Sequence, residues 1–536
     1  MQARLIASLT NPAIFGTEVN RVEVLETHIS YVLLTGPCAY KIKKAVNLEF
    51  LDFTTLAARR FDCEEELRLN RPLAPSIYLD VVAITGTVDR PAIGGDGPVL
   101  EYAVKMRQFP QEALLSHLLP AGLLTPADID ELAATIASFH GAAGVARADS
   151  AFGTAAHVLQ AARQNFSQIR PRLESACDRV ELDAIAEWTE REHASRIADF
   201  DQRHRDGFVR ECHGDLHLGN IALVDRQVTL FDRLEFNPAM RWIDVMSDVA
   251  FLVMDLQHRR RADLAFRVLN AYLEKTADYG GLGVLRFYAA YRAMVRAKVA
   301  CFRADQIDSP DHPHASDAFK AEYREYVALA ARYFARPRPA LVIMHGLSGC
   351  GKTTLSQVLV ESLGAIRIRT DVERKRMQGL SAGAASQSRV DAGLYAPDQT
   401  RDTYLRVQAL TRAILASGHI AIADGAFLKR WQRDLFRSLA SELGIPFVIV
   451  DLAADAATLR ERITRRIESR HDASEANLVV LDRQLSTSEG IASNERPFTV
   501  GHDATAPLEQ ASDHAAWRDR LASATGLTAD EFPASG

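Results

Sequence analysis

Two carboxylates and a carboxamide stand at the spacing that metal-assisted phosphoryl transfer requires. In Cys212-His213-Gly214-Asp215-Leu216-His217-Leu218-Gly219-Asn220, Asp215 can orient an acceptor hydroxyl, and Asn220 can offer a hard oxygen to Mg²⁺. After a short apolar run, Leu230-Phe231-Asp232 places a second carboxylate across a hairpin, where it can serve the same metal. Much further on, Gly346-Leu347-Ser348-Gly349-Cys350-Gly351-Lys352-Thr353-Thr354 matches an unrelated phosphate-binding design, the P-loop. There, backbone N–H groups freed by glycines enclose phosphate oxygens at a helix N-terminus. Lys352 is expected to reach the β- and γ-phosphates and Thr353 to coordinate Mg²⁺, with Gly346, Ser348, Gly349, Cys350, Gly351 and Thr354 completing the cradle. The chain is thus expected to hold two ATP sites of different origin, each using Mg²⁺.

The elements that must position these residues follow from periodicity. Residues 32–36 and 38–44 read as strands joined at Gly36-Pro37, and 52–69 as a charged helix. Two further strands, 77–85 and 99–109, flank a turn-rich stretch from Arg90 to Pro98, and the small lobe ends near residue 110. Residues 111–335 read as mostly helical, interrupted by the motif region 209–232, and Arg336-Pro337-Arg338-Pro339 reads as a stiff linker. An apolar strand at 340–345 enters the P-loop, and strands at 365–368, 420–423 and 447–450 alternate with helices, which predicts a parallel sheet. The expected architecture is an α+β bilobal kinase-like domain over 1–335 (small lobe 1–110, helical large lobe 111–335), then an α/β P-loop domain over 340–520 and a loose tail, 521–536.

A kinase small lobe fixes ATP phosphates with a strand lysine held by a helix glutamate. Lys41 is the expected lysine; Lys43, two residues on and on the same strand face, competes with it. Glu66 is the expected partner, with Glu65 next. The stretch from His213 to Asn220 resembles the catalytic loop of the aminoglycoside phosphotransferase family, relatives of choline kinases and more distantly of protein kinases. The resemblance covers roughly residues 1–335, strongly at the loop and weakly elsewhere. It implies Asp215 as catalytic base, with Asn220 and Asp232 as magnesium ligands. Phe231-Asp232-Arg233 departs from the protein-kinase form, which has glycine after the aspartate. Arg241, Asp244 and Asp248 resemble the family's structural residues behind the loop, His213 is expected to order it, and His217 either orders it or approaches substrate.

P-loops serve motors, switches and small kinases alike. A motor would end an apolar strand in Asp-Glu, whereas here Asp424 is followed by Gly425. Residues 340–500 resemble instead the small P-loop kinases of the gluconate, chloramphenicol and polynucleotide 5′-hydroxyl kinase type. That resemblance implies Asp371 as the base that activates the acceptor, and Arg462 and Arg466 as nucleotide-facing cations of a closing lid to which Arg470–Ser474 can belong. Single arginines on this helix are equally open to reading as solvated charges. Asp424 is either a magnesium carboxylate acting through water or a turn residue.

Lys+Arg 63 against Asp+Glu 69 gives a formal charge of −6, so no global field favours nucleic acid or membrane. The six cysteines form no CxxC pair, and Cys350 lies inside the P-loop; reduced thiols and a cytoplasmic location are expected. No signal segment or membrane span is expected. The reading is a bifunctional ATP- and Mg²⁺-dependent phosphotransferase acting on hydroxyl groups of small molecules. Two alternatives stand beside it: a nucleotide-controlled regulatory ATPase, and, for the second domain, a polynucleotide 5′-hydroxyl kinase. Neither acceptor, nor the oligomeric state, nor coupling between the activities follows from the sequence.

Overall fold

The computed structural model describes residues 1–27, 29–48, 51–307, 316–336, 338–381, 396–469, 477–506, 510 and 512–526; residues 48, 306, 307 and 466–469 are described by backbone alone. Met1–Glu131, Ser138–Gln160 and Phe200–Leu252 make one compact unit, and Leu132–Ala137, Ala161–Asp199 and Val253–Gly536 a second. This partition does not coincide with a boundary near residue 335.

In the first unit, strands Glu23–Glu26 (β1), Ser30–Leu34 (β2), Cys38–Lys43 (β3), Tyr78–Thr87 (β4), Arg90–Ile93 (β5) and Val99–Arg107 (β6) form an antiparallel sheet in the order β1-β2-β3-β6-β4-β5. On β3, alternation sends Tyr40 and Ile42 into a core with Leu5, Leu9, Leu33 and Ile84. Lys41 and Lys43 therefore project from the opposite face, with Lys41 paired in register to Val32 and Val104. The helix Leu56–Asn70 begins at Thr55, whose hydroxyl accepts from Ala58 N at 3.1 Å, a cap worth about 1 kcal/mol. Its buried residues Arg59, Cys63, Glu66 and Asn70 recur at helical spacing, and Cys63 packs with Tyr78 and Val104. The stretch read as turn-rich holds β5, an edge strand where Pro91 removes no required ladder bond.

The motif region of this unit is a hairpin, Ile221–Val224 with Gln227–Leu230. It turns at Asp225 and Arg226, both with positive φ (51° and 64°), as a two-residue turn matched to strand twist requires. Beside it, Val209–Glu211 pairs antiparallel with Trp242–Asp244.

The second unit combines helices, among them Ala262–Thr276, Leu282–Ile307 and Asp317–Arg332, with a five-stranded parallel sheet. Its strands are Leu341–His345 (β7), Ile366–Arg369 (β8), Ala421–Asp424 (β9), Phe447–Ala453 (β10) and Thr499–Asp503 (β11), in the order β8-β9-β7-β10-β11. The central β7 is buried throughout, as its apolar run from Leu341 to Met344 implies, and it ends in His345. Its C-terminal end, where the phosphate loop begins, opens on the side of the sheet at which ligands of doubly wound folds bind. The chain thus adopts the expected class, an α+β region followed by an α/β P-loop domain. Among the described residues, no helix is long and apolar enough to cross a membrane.

Candidate active sites

In the first unit a buried ion network joins three stretches far apart in sequence. Lys41 Nζ lies 2.9 Å from Glu66 Oε1 and 2.5 Å from Asp232 Oδ1. Lys43, on the same face, is wholly enclosed and held by Glu66 and by Glu235. The Lys41 side chain keeps 12% exposure and that of Lys43 none, so only Lys41 meets the solvent-accessible side. Burial favours neutral Glu66, but Lys41 and Lys43 outweigh it and hold the carboxyl down to about 2. Burial likewise opposes the charge on Lys41, and Asp232 and Glu66 nevertheless keep its pKa well above the ordinary lysine value. Glu65 turns elsewhere, to Arg68 at 2.6 Å and Arg241 at 2.8 Å.

The loop from His213 to Asn220 is shaped from beneath by Asp248, whose carboxylate accepts from His213 N at 2.8 Å and Gly214 N at 2.9 Å. Gly214 has φ +86°, and a Cβ there would lie 2.7 Å from Met240 O, so only glycine fits. Buried His213 contacts Phe231 O through Nε2 at 2.9 Å and accepts from Asp215 N through Nδ1 at 3.3 Å, the pattern of a neutral ring. Burial lowers its pKa accordingly. Asn220 Nδ2 donates to Asp215 O at 3.0 Å and Oδ2 at 2.9 Å, while His217 Nε2 lies 3.4 Å from Asp215 Oδ2. The register Ile221↔Leu230 brings Asn220 and Asp232 to the same end of the hairpin, and Asp232 N donates to Tyr78 Oη at 3.0 Å. The amide nitrogen of Asn220 faces Asp215, which leaves its oxygen without a role in that contact; this oxygen and the Asp232 carboxylate are hard donors of the kind Mg²⁺ takes. Arg241 and Asp244 serve structure: Arg241 donates to Glu235 O at 2.8 Å, and Asp244 takes Arg203 through two contacts of 2.7 and 2.8 Å.

The second site is built on backbone. Gly346, Gly349 and Gly351 all have positive φ (144°, 87° and 86°), and a Cβ on Gly346 would meet Leu452 O at 2.6 Å and Cys350 Sγ at 2.8 Å. Lys352 Nζ donates to the carbonyls of Gly346 and Leu347 at 2.9 and 2.8 Å, and the helix Lys352–Leu363 follows directly. Ser348 through Thr354, together with Asp371, Asp424 and Arg462, line one cavity of about 720 Å³. Asp371 lies in the first turn of the short helix Thr370–Arg376 after β8 and pairs with Arg374 at 3.2 Å. Buried Asp424, at the end of β9, accepts from Ser356 Oγ at 3.0 Å. This carboxylate and the Thr353 hydroxyl line the same cavity and again offer hard oxygens. Arg462 donates to Ala504 O at 2.8 Å, whereas exposed Arg465 pairs with Glu461. The Arg466 side chain and Arg470–Ser474 lie outside the described residues.

A phosphate loop closing the central strand of a parallel sheet defines the domain type. Residues 341–491 match the AAA_33 family, described as an AAA domain. Over nearly its whole length the chain is similar to an uncharacterized protein of Mycobacterium tuberculosis, 29% identical over 504 residues that cover 93% of this chain and 96% of the relative. Among solved structures, a gluconokinase from Sinorhizobium meliloti is similar over 35% of this chain and 96% of its own, at 24% identity and TM-score 0.26. A choline/ethanolamine kinase family protein from Mesorhizobium loti is similar over 62% of this chain and 99% of its own, at 13% identity and TM-score 0.37.

Several residues at these sites escaped the sequence reading. Glu235 follows the motif aspartate by three residues, yet nothing in the pattern links it to Lys43. Tyr78 and Asn70, which bind the backbone of Asp232 and Arg233, read as ordinary core and helix-end residues. Around the phosphate loop, Gln484 accepts from Ser348 N at 2.8 Å, and His345 Nδ1 pairs with Asp451 at 2.6 Å. A polar residue at the end of an apolar strand was the available signal for His345.

Proposed function

We propose that the chain is a phosphotransferase with two sites, each passing the γ-phosphoryl group of ATP to a hydroxyl of a small molecule. The observation that carries this reading is Lys41 bridging Glu66 and Asp232, with Asp215 and Asn220 joined on the adjoining loop. In the first site Lys41 holds the nucleotide phosphates and Glu66 holds Lys41, while Lys43 serves as a buried counter-charge. Asp215 accepts the proton of the acceptor hydroxyl; Asn220 keeps that carboxylate turned to its task. Asn220 and Asp232 would hold magnesium here, and Thr353 and Asp424 in the second site. When bound, the ion offsets phosphate charge as it develops in transfer.

In the second site, the P-loop amides and Lys352 bind phosphates, Asp371 orients the acceptor, and Arg462 closes the nucleotide side. The full chain, incubated with ATP, Mg²⁺ and a metabolite library, should yield products heavier by one phosphate. Asp215→Asn should remove one set and Asp371→Asn the other. ATP consumption that never yields a phosphorylated acceptor would favour the nucleotide-controlled ATPase instead.

A further inference from the structure

Strand β8 lies at the edge of the parallel sheet, but its outer side is covered. Asn270, on the helix Ala262–Thr276, presents its carboxamide to the strand's backbone. Nδ2 donates to Ala365 O at 2.9 Å and Oδ1 accepts from Arg367 N at 2.7 Å, the pair of bonds that a neighbouring strand would make. One turn further along the helix, Glu274 lies 3.3 Å from Arg369 and 3.7 Å from Arg367. Its backbone carbonyl accepts from Arg376, which is itself matched by Glu373. Arg267, on the same helix, pairs with Glu361 at 2.7 Å.

From this edge the contacts run inward. Arg367 is buried, and its guanidinium donates to Thr353 O at 3.2 Å and to Ser356 Oγ at 3.1 Å. Ser356 Oγ in turn donates to Asp424 Oδ2. A buried cation is therefore separated by one hydroxyl from the carboxylate best placed to serve the metal. A guanidinium deprived of its counter-charge in such surroundings draws on the nearest remaining carboxylate, because attraction is strong where water is scarce. Glu274 supplies that counter-charge from the outer side of the sheet.

We infer that Glu274 is a positioning residue of the P-loop site: by neutralising Arg367 and Arg369 it leaves the Asp424 carboxylate to the divalent cation that accompanies the nucleotide. The inference rests on the nucleotide-binding reading of that site. It is tested on the full chain by titrating ADP at a series of Mg²⁺ concentrations in a calorimeter, the component abolished by Lys352→Ala reporting this site alone. Glu274→Gln should raise the Mg²⁺ concentration for half-maximal enhancement of ADP affinity by roughly fivefold or more, the scale of one unbalanced charge at contact distance. ADP affinity without Mg²⁺ should stay within about twofold, since the phosphate loop is untouched. Glu274→Asp should recover part of the loss. Glu274→Gln combined with Arg369→Gln should return the Mg²⁺ dependence toward wild type, because the surplus charge is removed. An unchanged Mg²⁺ dependence in Glu274→Gln, or an equal loss of ADP affinity with and without Mg²⁺, overturns the inference alone. A double variant no better than the single one does the same, and so do variants that fail to fold. A wild-type chain with no Lys352-dependent ADP binding overturns the nucleotide reading as well.

Discussion

The two candidate sites are built by opposite constructional means. In the first, position is set by side-chain charge: Lys41, Glu66, Asp232, Lys43 and Glu235 come from distant parts of the chain and hold one another. In the second, position is set by backbone conformation within one short segment, and even the lysine bonds to carbonyls of its own loop. Charge networks fail when one partner is lost, because the others stay buried without compensation. Backbone cradles fail when a side chain is added where none fits.

The largest effects should come from the two carboxylates assigned to the acceptors. Asp215→Asn and Asp371→Asn should each reduce transfer at their own site by about two or more orders of magnitude while leaving ATP affinity nearly unchanged. Steady-state rates with each site's acceptor, alongside calorimetric binding, check this; wild-type turnover in either variant would remove that residue from its role.

Stability separates the two constructions next. Lys43→Ala should destabilise the first unit by about 3–5 kcal/mol, because Glu66 and Glu235 lose a buried partner. Gly346→Ala should cost about 1–3 kcal/mol by backbone strain and should weaken nucleotide binding at the second site only. Chemical denaturation of both variants makes the comparison, and a Lys43→Ala chain as stable as wild type would show that the network does not hold the lobe together.

The smallest effect is a dependence on pH. Burial holds His419 down to about 4 from its ordinary value of 6.5 and lowers His213 as well. Both rings are neutral when folded and protonate more readily when unfolded, so their stabilisation is complete above pH 6.5. For His419 it declines as pH falls from there to about 4. Replacing His419 by Gln should flatten this part of the stability profile without affecting transfer, whereas His213→Gln should also slow the first site, whose loop it orders. Denaturation midpoints collected between neutral and mildly acidic pH decide it; an unaltered slope for His419→Gln would break the assignment.

The same contrast governs what could be read in advance. The P-loop was legible in full because its residues are contiguous and their geometry is local. The order Asp215, Asn220, Asp232 was legible because a hairpin brings near neighbours together. The choice between Lys41 and Lys43 was not, since strand alternation gives both the same face and only distant Glu235 encloses one of them. Arg462 and Arg465 share a helix, but periodicity could not tell that one lines the cavity and the other pairs in solvent. Strand β11 escaped notice because Thr499–Asp503 is short and interrupted by Gly501.

The amide of Asn270 on the backbone of Ala365 and Arg367 has a bearing on heredity as well as on structure. A fused gene is commonly pictured as a string of exchangeable parts, any of which can be traded by recombination. Here a segment encoded well upstream of the phosphate loop supplies hydrogen bonds to the loop's own sheet. A crossover in the Pro-rich stretch from Arg336 to Pro339 would deliver a foreign sheet to a helix whose Asn270 and Glu274 no longer match it. Lineages that inherit this protein are therefore expected to keep Asn270, Glu274 and Arg367 together or to change them together, and sequencing of diverged copies can reveal which.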